Sequence, residues 1–135
     1  MKPLAILLIE DNPKDASLIE EALRACAIAM EITVAEDGEK GLMLLTQGTV
    51  QPDLVILDLS LPKLSGISLL QQYRPNERPP IIVFSSTWAE TEIRMALSLG
   101  AREVVHKPID LKSFKEAVCG IVRKWAPVNG SPSID

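Results

Sequence analysis

Four groups of reactive side chains each follow directly on an apolar run. Glu10-Asp11 follows Leu4–Ile9, Asp58 follows Leu54–Leu57, Ser85-Ser86 follows Ile81–Phe84, and His106-Lys107-Pro108 follows Val104-Val105. Singly, each is ordinary, since an aspartate after a strand usually begins a turn or caps a helix. Gathered on one rim they are not, because two like unit charges about 4 Å apart repel by roughly 4 kcal/mol at an effective dielectric of 20. Three carboxylates therefore need a cation, raised pKa values or an opposing side chain. Oxygen ligands in an open cup suit a hard cation such as Mg²⁺, which keeps several waters and takes one or two carboxylates. Lys107 supplies the remaining positive charge. A carboxylate, a hydroxyl, a lysine and Mg²⁺ together are what phosphoryl transfer to an aspartate requires: the cations neutralise the phosphoryl oxygens, the hydroxyl donates to one of them, and the carboxylate attacks. Asp58, the single acid after its run, is the expected nucleophile.

The elements that must position these groups alternate along the chain. Leu4–Ile9, Leu54–Leu57 and Ile81–Phe84 are continuous apolar runs, as in strands covered on both faces. Glu31–Ala35 alternates with period two, and Val104-Val105 is short; both suit edge strands. Between them, Asn12-Pro13 reads as a helix cap with proline in the first turn, followed by Leu18, Ile19, Ala22, Leu23 and Cys26 at helical spacing. Asp37 caps a second helix carrying Leu42 and Leu45. Leu64–Tyr73 gives a third, Trp88–Leu99 a fourth stopped by Gly100, and Leu111–Trp125 a fifth with Phe114, Val118, Ile121 and Trp125 on one stripe. Five strand–helix units predict an α/β fold, a doubly wound parallel sheet in the order 2-1-3-4-5, with ligands bound outside the carboxyl ends of the strands. Residues 1–125 form the expected domain, and 126–135, rich in Pro, Gly and Ser, a frayed tail.

Composition narrows the function classes. At 135 residues, 47% apolar and 24% charged, the chain is expected to form one core without a stapling metal or disulfide. A formal net charge of −4 argues against a nucleic-acid backbone as partner. Cys26 and Cys119 show no metal-ligand or CxxC spacing and read as two separate thiols in a reducing compartment. No apolar run reaches membrane length and the N-terminus meets Glu10-Asp11 too soon for a signal sequence, so a soluble cytoplasmic protein is expected.

As a set, Leu8-Ile9-Glu10-Asp11-Asn12-Pro13, Asp53 to Pro62 around Asp58, Ser85-Ser86 and Lys107-Pro108 resemble the receiver domain of two-component response regulators, and Asp37-Gly38, Gly66 and Gly100-Ala101 agree with it. The resemblance runs from Leu4 to Trp125 and implies a flavodoxin-like (βα)5 fold. Asp58 is then the phosphoacceptor for a sensor histidine kinase or phosphotransfer protein. Mg²⁺, or Mn²⁺ in its place, is held by Asp11, Asp58 and the backbone carbonyl of Ser60, with Glu10 helping through water. Ser85 donates to the phosphoryl group, Lys107 pairs with it, and the Lys107–Pro108 turn is cis. The face of the fourth helix, fifth strand and fifth helix is the family's usual output surface, and exposed Trp88 or Val122 there would favour a homodimer or the docking of a partner. The Glu10–Pro13 opening followed by Asp15 is similar to single-domain regulators paired with phytochrome-type kinases.

Some positions depart from the pattern. Val104 replaces a frequent Tyr or Phe, removing an aromatic gate and leaving any switch to Ser85 and loop packing. Ser65 replaces a frequent acid, Ser60 and Thr87 occupy variable positions that influence dephosphorylation, and His106 reads as a surface residue. An aspartyl-phosphate hydrolase is the rival enzyme reading, but such enzymes carry a second Asp where Ser60 stands. A flavodoxin-like cofactor binder needs a phosphate loop where Glu10-Asp11 would repel phosphate. A degenerate receiver acting as an interaction module is disfavoured because every chemical position is filled.

Overall fold

The computed structural model describes residues 2–74, 78–87 and 89–127. Five strands and five helices alternate: β1 (Leu4–Ile9), α1 (Pro13–Arg24), β2 (Met30–Ala35), α2 (Gly38–Gln47), β3 (Leu54–Leu57), α3 (Gly66–Gln72), β4 (Ile81–Ser85), α4 (Glu90–Ser98), β5 (Glu103–His106) and α5 (Leu111–Trp125). The strands form one parallel sheet in the order β2-β1-β3-β4-β5. This is the architecture expected from the apolar runs.

The continuous runs divide by parity, as side chains in a strand must. Ile6 and Leu8 of β1, with Ile56, Ile82 and Phe84, face a core completed by α1 and α5. Leu7 and Ile9, with Val55, Leu57 and Val83, face one completed by α2, α3 and α4. On the first face Phe84 meets Phe114 edge to face, with ring centroids 5.2 Å apart. α1 and α5 lie side by side there, and Cys26 and Cys119 are joined by a disulfide across them with Cα atoms 5.8 Å apart. The expectation of two separate thiols is thereby corrected. Spacing along the chain carried no sign of the pairing, because it arises from the packing of α1 on α5, which brings Cys26, just beyond the end of α1, to Cys119 of α5 across 93 residues of sequence.

Element ends shift for local reasons. α3 begins at Gly66 rather than Leu64, because the Ser65 side chain takes the amide of Ser68 and becomes the cap. α4 begins at Glu90. Its cap position, Ala89, offers no side-chain acceptor to the first turn; Thr87 instead ties the loop to that turn, its Oγ1 accepting from the Ala89 amide at 3.2 Å and donating to Glu92 at 2.8 Å. β5 extends over Glu103–His106 because Ser85 and His106 still pair in register. Arg78 donates to the carbonyls of Tyr73 and Leu99, tying the ends of α3 and α4 together. Expectations for Trp88 and for the tail beyond Pro127 fall outside the described residues. Among the described residues, no helix is long and apolar enough to cross a membrane.

Candidate functional site

The parallel ladder continues one residue beyond three strands and delivers the site in doing so. The amide of Glu10 donates to Ala35, that of Asp58 to Ile9 and that of Lys107 to Ser85, at 2.9–3.0 Å. Glu10, Asp58 and Lys107 are thereby fixed by backbone geometry at the carboxyl edge of the sheet, and all three side chains are buried, as is Ser85. Two glycines keep the surrounding loops close. A Cβ at Gly66 would run into the Asp58 carbonyl and the Leu59 backbone, and one at Gly38 into the backbone of Leu64.

Asp58 is 6% exposed, and both of its carboxylate oxygens are occupied. Oδ1 accepts from Ser85 Oγ at 2.9 Å and from the Ser60 amide at 3.2 Å. Oδ2 accepts from Lys107 Nζ at 3.2 Å. Lys107 also donates to Glu10 Oε1 at 2.7 Å and to Asp15 Oδ2 at 2.9 Å. Asp11 is exposed at the mouth of the cluster, and Glu10, Asp11 and Asp58 each bring a carboxylate oxygen within 4.8 Å of the others. This all-oxygen set, open on one side, fits a hard divalent cation that retains water.

The charges have consequences. Burial pushes the Glu10 carboxyl up to about 7, with the Asp58 charge adding to the rise and Lys107 opposing it. For Lys107, burial favours loss of its proton, but the hydrogen bond it donates to Glu10 and the charges of Asp58 and Glu10 outweigh burial and hold the ammonium above the ordinary lysine range.

Every side chain singled out for chemistry (Glu10, Asp11, Asp58, Ser85 and Lys107) converges here, and Ser60 joins through its amide. Asp15 was visible in the sequence as part of the opening motif but had no assigned place in the site. It stands in the first turn of α1 and faces Lys107 across the rim, a position that becomes evident once Asn12 is seen to cap that turn. The Lys107–Pro108 peptide is trans, as are all the described peptide bonds, correcting the cis expectation. X–Pro bonds prefer trans by about 0.5–1 kcal/mol, and the Lys107 amide already aligns its side chain by bonding Ser85. His106 is half-buried in β5 rather than a surface residue, because its strand position pairs it with Ser85. Val122, whose exposure would have marked a contact surface, is 1% exposed, since it belongs to the inward stripe of α5. Trp125 is half-buried, its indole N–H donating to Glu103 at 2.7 Å.

Comparison with known proteins agrees with this geometry. The family model for the response regulator receiver domain matches residues 6–119. Response regulator Rcp1 of Synechocystis sp. is 30% identical, the alignment covering 91% of this chain and 89% of Rcp1. The crystal structure of the Mn²⁺-bound form of response regulator Rcp1 superposes with a TM-score of 0.84 at 29% identity, covering 97% of this chain and all of that one. That of the phosphorylated cyanobacterial phytochrome response regulator RcpA does so with a TM-score of 0.86 at 31% identity, covering 92% of this chain and 94% of that one. The chain belongs to the response regulator receiver domain family.

Proposed function

We propose that Asp58 accepts a phosphoryl group from the phosphohistidine of a sensor histidine kinase or phosphotransfer protein in the cytoplasm, and that the protein acts as a switch rather than as a turnover enzyme. The observation that carries this reading is the convergence on one buried carboxylate of a hydroxyl at 2.9 Å, an ammonium at 3.2 Å and two further acids able to hold a cation. A carboxylate oxygen of Asp58 forms the new O–P bond as the P–N bond to the histidine breaks, leaving neutral imidazole after proton uptake. Ser85 Oγ and Lys107 Nζ turn their hydrogens from Asp58 to the arriving phosphoryl oxygens. Asp11, Asp58 and the Ser60 carbonyl, with Glu10 through water, would hold Mg²⁺ or Mn²⁺. Such an ion neutralises phosphoryl charge when bound.

The signal leaves through the α4–β5–α5 face, which presents Met95, Leu97 and Leu111 to solvent. The likeness to RcpA supports a phytochrome-type kinase as donor. The test is incubation with acetyl phosphate and Mg²⁺, followed by intact mass, for the wild type and Asp58→Asn. One phosphoryl group gained by the wild type alone is expected. No adduct, or continuous release of phosphate at an enzyme's rate, rejects the reading. A homodimer through the α4–β5–α5 face should form with beryllofluoride, and sedimentation as a monomer in its presence rejects that part.

A further inference from the structure

We infer that Asp15 is a positioning residue for the acceptor reaction: by holding one N–H of Lys107 from the first turn of α1, it aims the ammonium at the reacting oxygen of Asp58. The inference rests on the acceptor reading above. A lysine ammonium has three donors and no acceptor. Here each donor has one carboxylate: Glu10 at 2.7 Å, Asp15 at 2.9 Å and Asp58 at 3.2 Å. The two shorter contacts are to the residues that do not react. They fix the directions of two N–H bonds, and tetrahedral geometry then dictates the third, which points at Asp58 Oδ2.

Asp15 is suited to this part by its mounting. It is the third residue of α1, and its own amide is anchored to the Asn12 side chain at 3.1 Å, the same cap that takes the Lys14 amide at 2.9 Å. Asn12 in turn donates its amide to Glu10 Oε2 at 3.3 Å. Glu10, Asn12 and Asp15 therefore move as one short unit, and Lys107 is gripped by both of its ends across separations of 97 and 92 residues. Asp15 is absent from the group of oxygens that could share a cation, which comprises Glu10, Asp11 and Asp58. Its side chain is 28% exposed, against 1% for Glu10 and 8% for Asp58. It can keep its hold on Lys107 while the inner carboxylates engage metal and phosphoryl group. Without Asp15 the four-carbon stem regains rotamer freedom, and the third N–H is no longer directed.

The experiment compares wild type, Asp15→Ala and Asp15→Asn in three measurements. With acetyl phosphate and Mg²⁺, the saturating phosphorylation rate should fall about tenfold in Asp15→Ala and about threefold in Asp15→Asn, which keeps a neutral acceptor. The Mg²⁺ dissociation constant should stay within about twofold in both, because no metal-facing oxygen is removed. In protein labelled with ¹⁵N-lysine, the Lys107 ammonium resonance, identified by its loss in Lys107→Ala, should be sharp in the wild type and broadened by faster exchange in Asp15→Ala. An unchanged or faster phosphorylation rate, a loss of Mg²⁺ affinity parallel to the rate, or an unaltered ammonium resonance overturns the inference. If the wild type itself takes up no phosphoryl group, the acceptor reading fails first and the inference falls with it. Should Asp15→Ala unfold, the same comparisons are made on Asp15→Asn.

Discussion

Replacing Lys107 by alanine tests the electrostatic account of the site most directly. Among the described residues, Lys107 is the cation paired with Glu10, Asp15 and Asp58, and its removal leaves two buried carboxylates facing one another. Oxygens of Glu10 and Asp58 lie within 4.8 Å. At that separation and an effective dielectric of 20, two unit charges repel by about 3.5 kcal/mol, within the roughly 3–5 kcal/mol that truncating one partner of a buried ion pair costs. Total stabilities of about 5–15 kcal/mol leave the variant folded, with a melting temperature lower by about 10–15 °C for a chain of this length.

The loss should depend on conditions, and this is the discriminating part. Glu10 already holds its proton up to about 7 in the wild type; without the opposing Lys107 it holds it still higher. Protonation removes the repulsion, so the deficit of Lys107→Ala should be largest near about pH 8 and should shrink toward about pH 5.5. A divalent cation in the same cup should do likewise. Thermal unfolding followed by circular dichroism, in EDTA and in saturating Mg²⁺ at both pH values, reads all four corners. An equal deficit in every corner would show that lost packing of the lysine stem, not charge, sets the cost. No deficit in EDTA at the higher pH would refute the account outright.

The remaining predictions concern neighbouring features. Because Glu10 must lose its proton to engage a cation and does so near about 7, Mg²⁺ affinity measured by calorimetry should fall about tenfold from about pH 8 to about pH 6, with proton release on binding; a flat profile contradicts the raised pKa. The Cys26–Cys119 bond closes a loop of 93 residues, for which chain entropy sets a contribution of up to about 4.6 kcal/mol. Reductant should therefore lower the wild-type melting temperature and leave the double serine variant unaffected; an insensitive wild type rules the bond out. Gly38→Ala drives a Cβ into the Leu64 backbone and should cost more than about 2 kcal/mol, whereas Gly120→Ala, in open space on α5, should gain about 0.5–1 kcal/mol; denaturant unfolding of the pair checks both signs.

The sheet order was legible because buried parallel strands read as unbroken apolar runs and edge strands as short or alternating ones. The inner site was legible because strand ends are where such a sheet collects its functional groups, so that Glu10, Asp58, Ser85 and Lys107 could be placed on one rim before any distance was known. What stayed hidden depended on contacts between distant segments. Asp15 reaches Lys107 only because a capped first turn directs it inward, and no periodicity distinguishes it from Lys14 beside it. The disulfide is a product of α1 lying against α5. Val122 could be expected on either side of a helix whose apolar arc is wide, and its place in the core on the α1 and α5 face of the sheet decided it. Arg78, which ties the ends of α3 and α4, looked like one charge among many.

A lysine holding two buried carboxylates and a half-buried third is a poor way to stabilise a fold, since an apolar cluster of similar volume would often be more stable. Its value lies in sensitivity: any added charge at Asp58 must redistribute the partners of Ser85 and Lys107. Lys107 is constrained by Glu10 and Asp15 on the α1 side, where helix packing over Ile19, Leu23, Phe114 and Val118 and the disulfide resist displacement. Ser85 is different. It opens the β4–α4 loop, its Oγ accepts from the Thr87 amide at 3.4 Å, and Thr87 reaches Glu92 in the first turn of α4. α4 itself has Ala96 as its one buried residue, and an element with so few buried contacts is the least costly to displace. With Val104 where an aromatic gate would stand, no ring rotation is available to carry the change. On the proposed reading, charge arriving at Asp58 therefore passes through Ser85 and Thr87 to the start of α4, and the exposed Met95 and Leu97 of that helix carry the consequence to the surface.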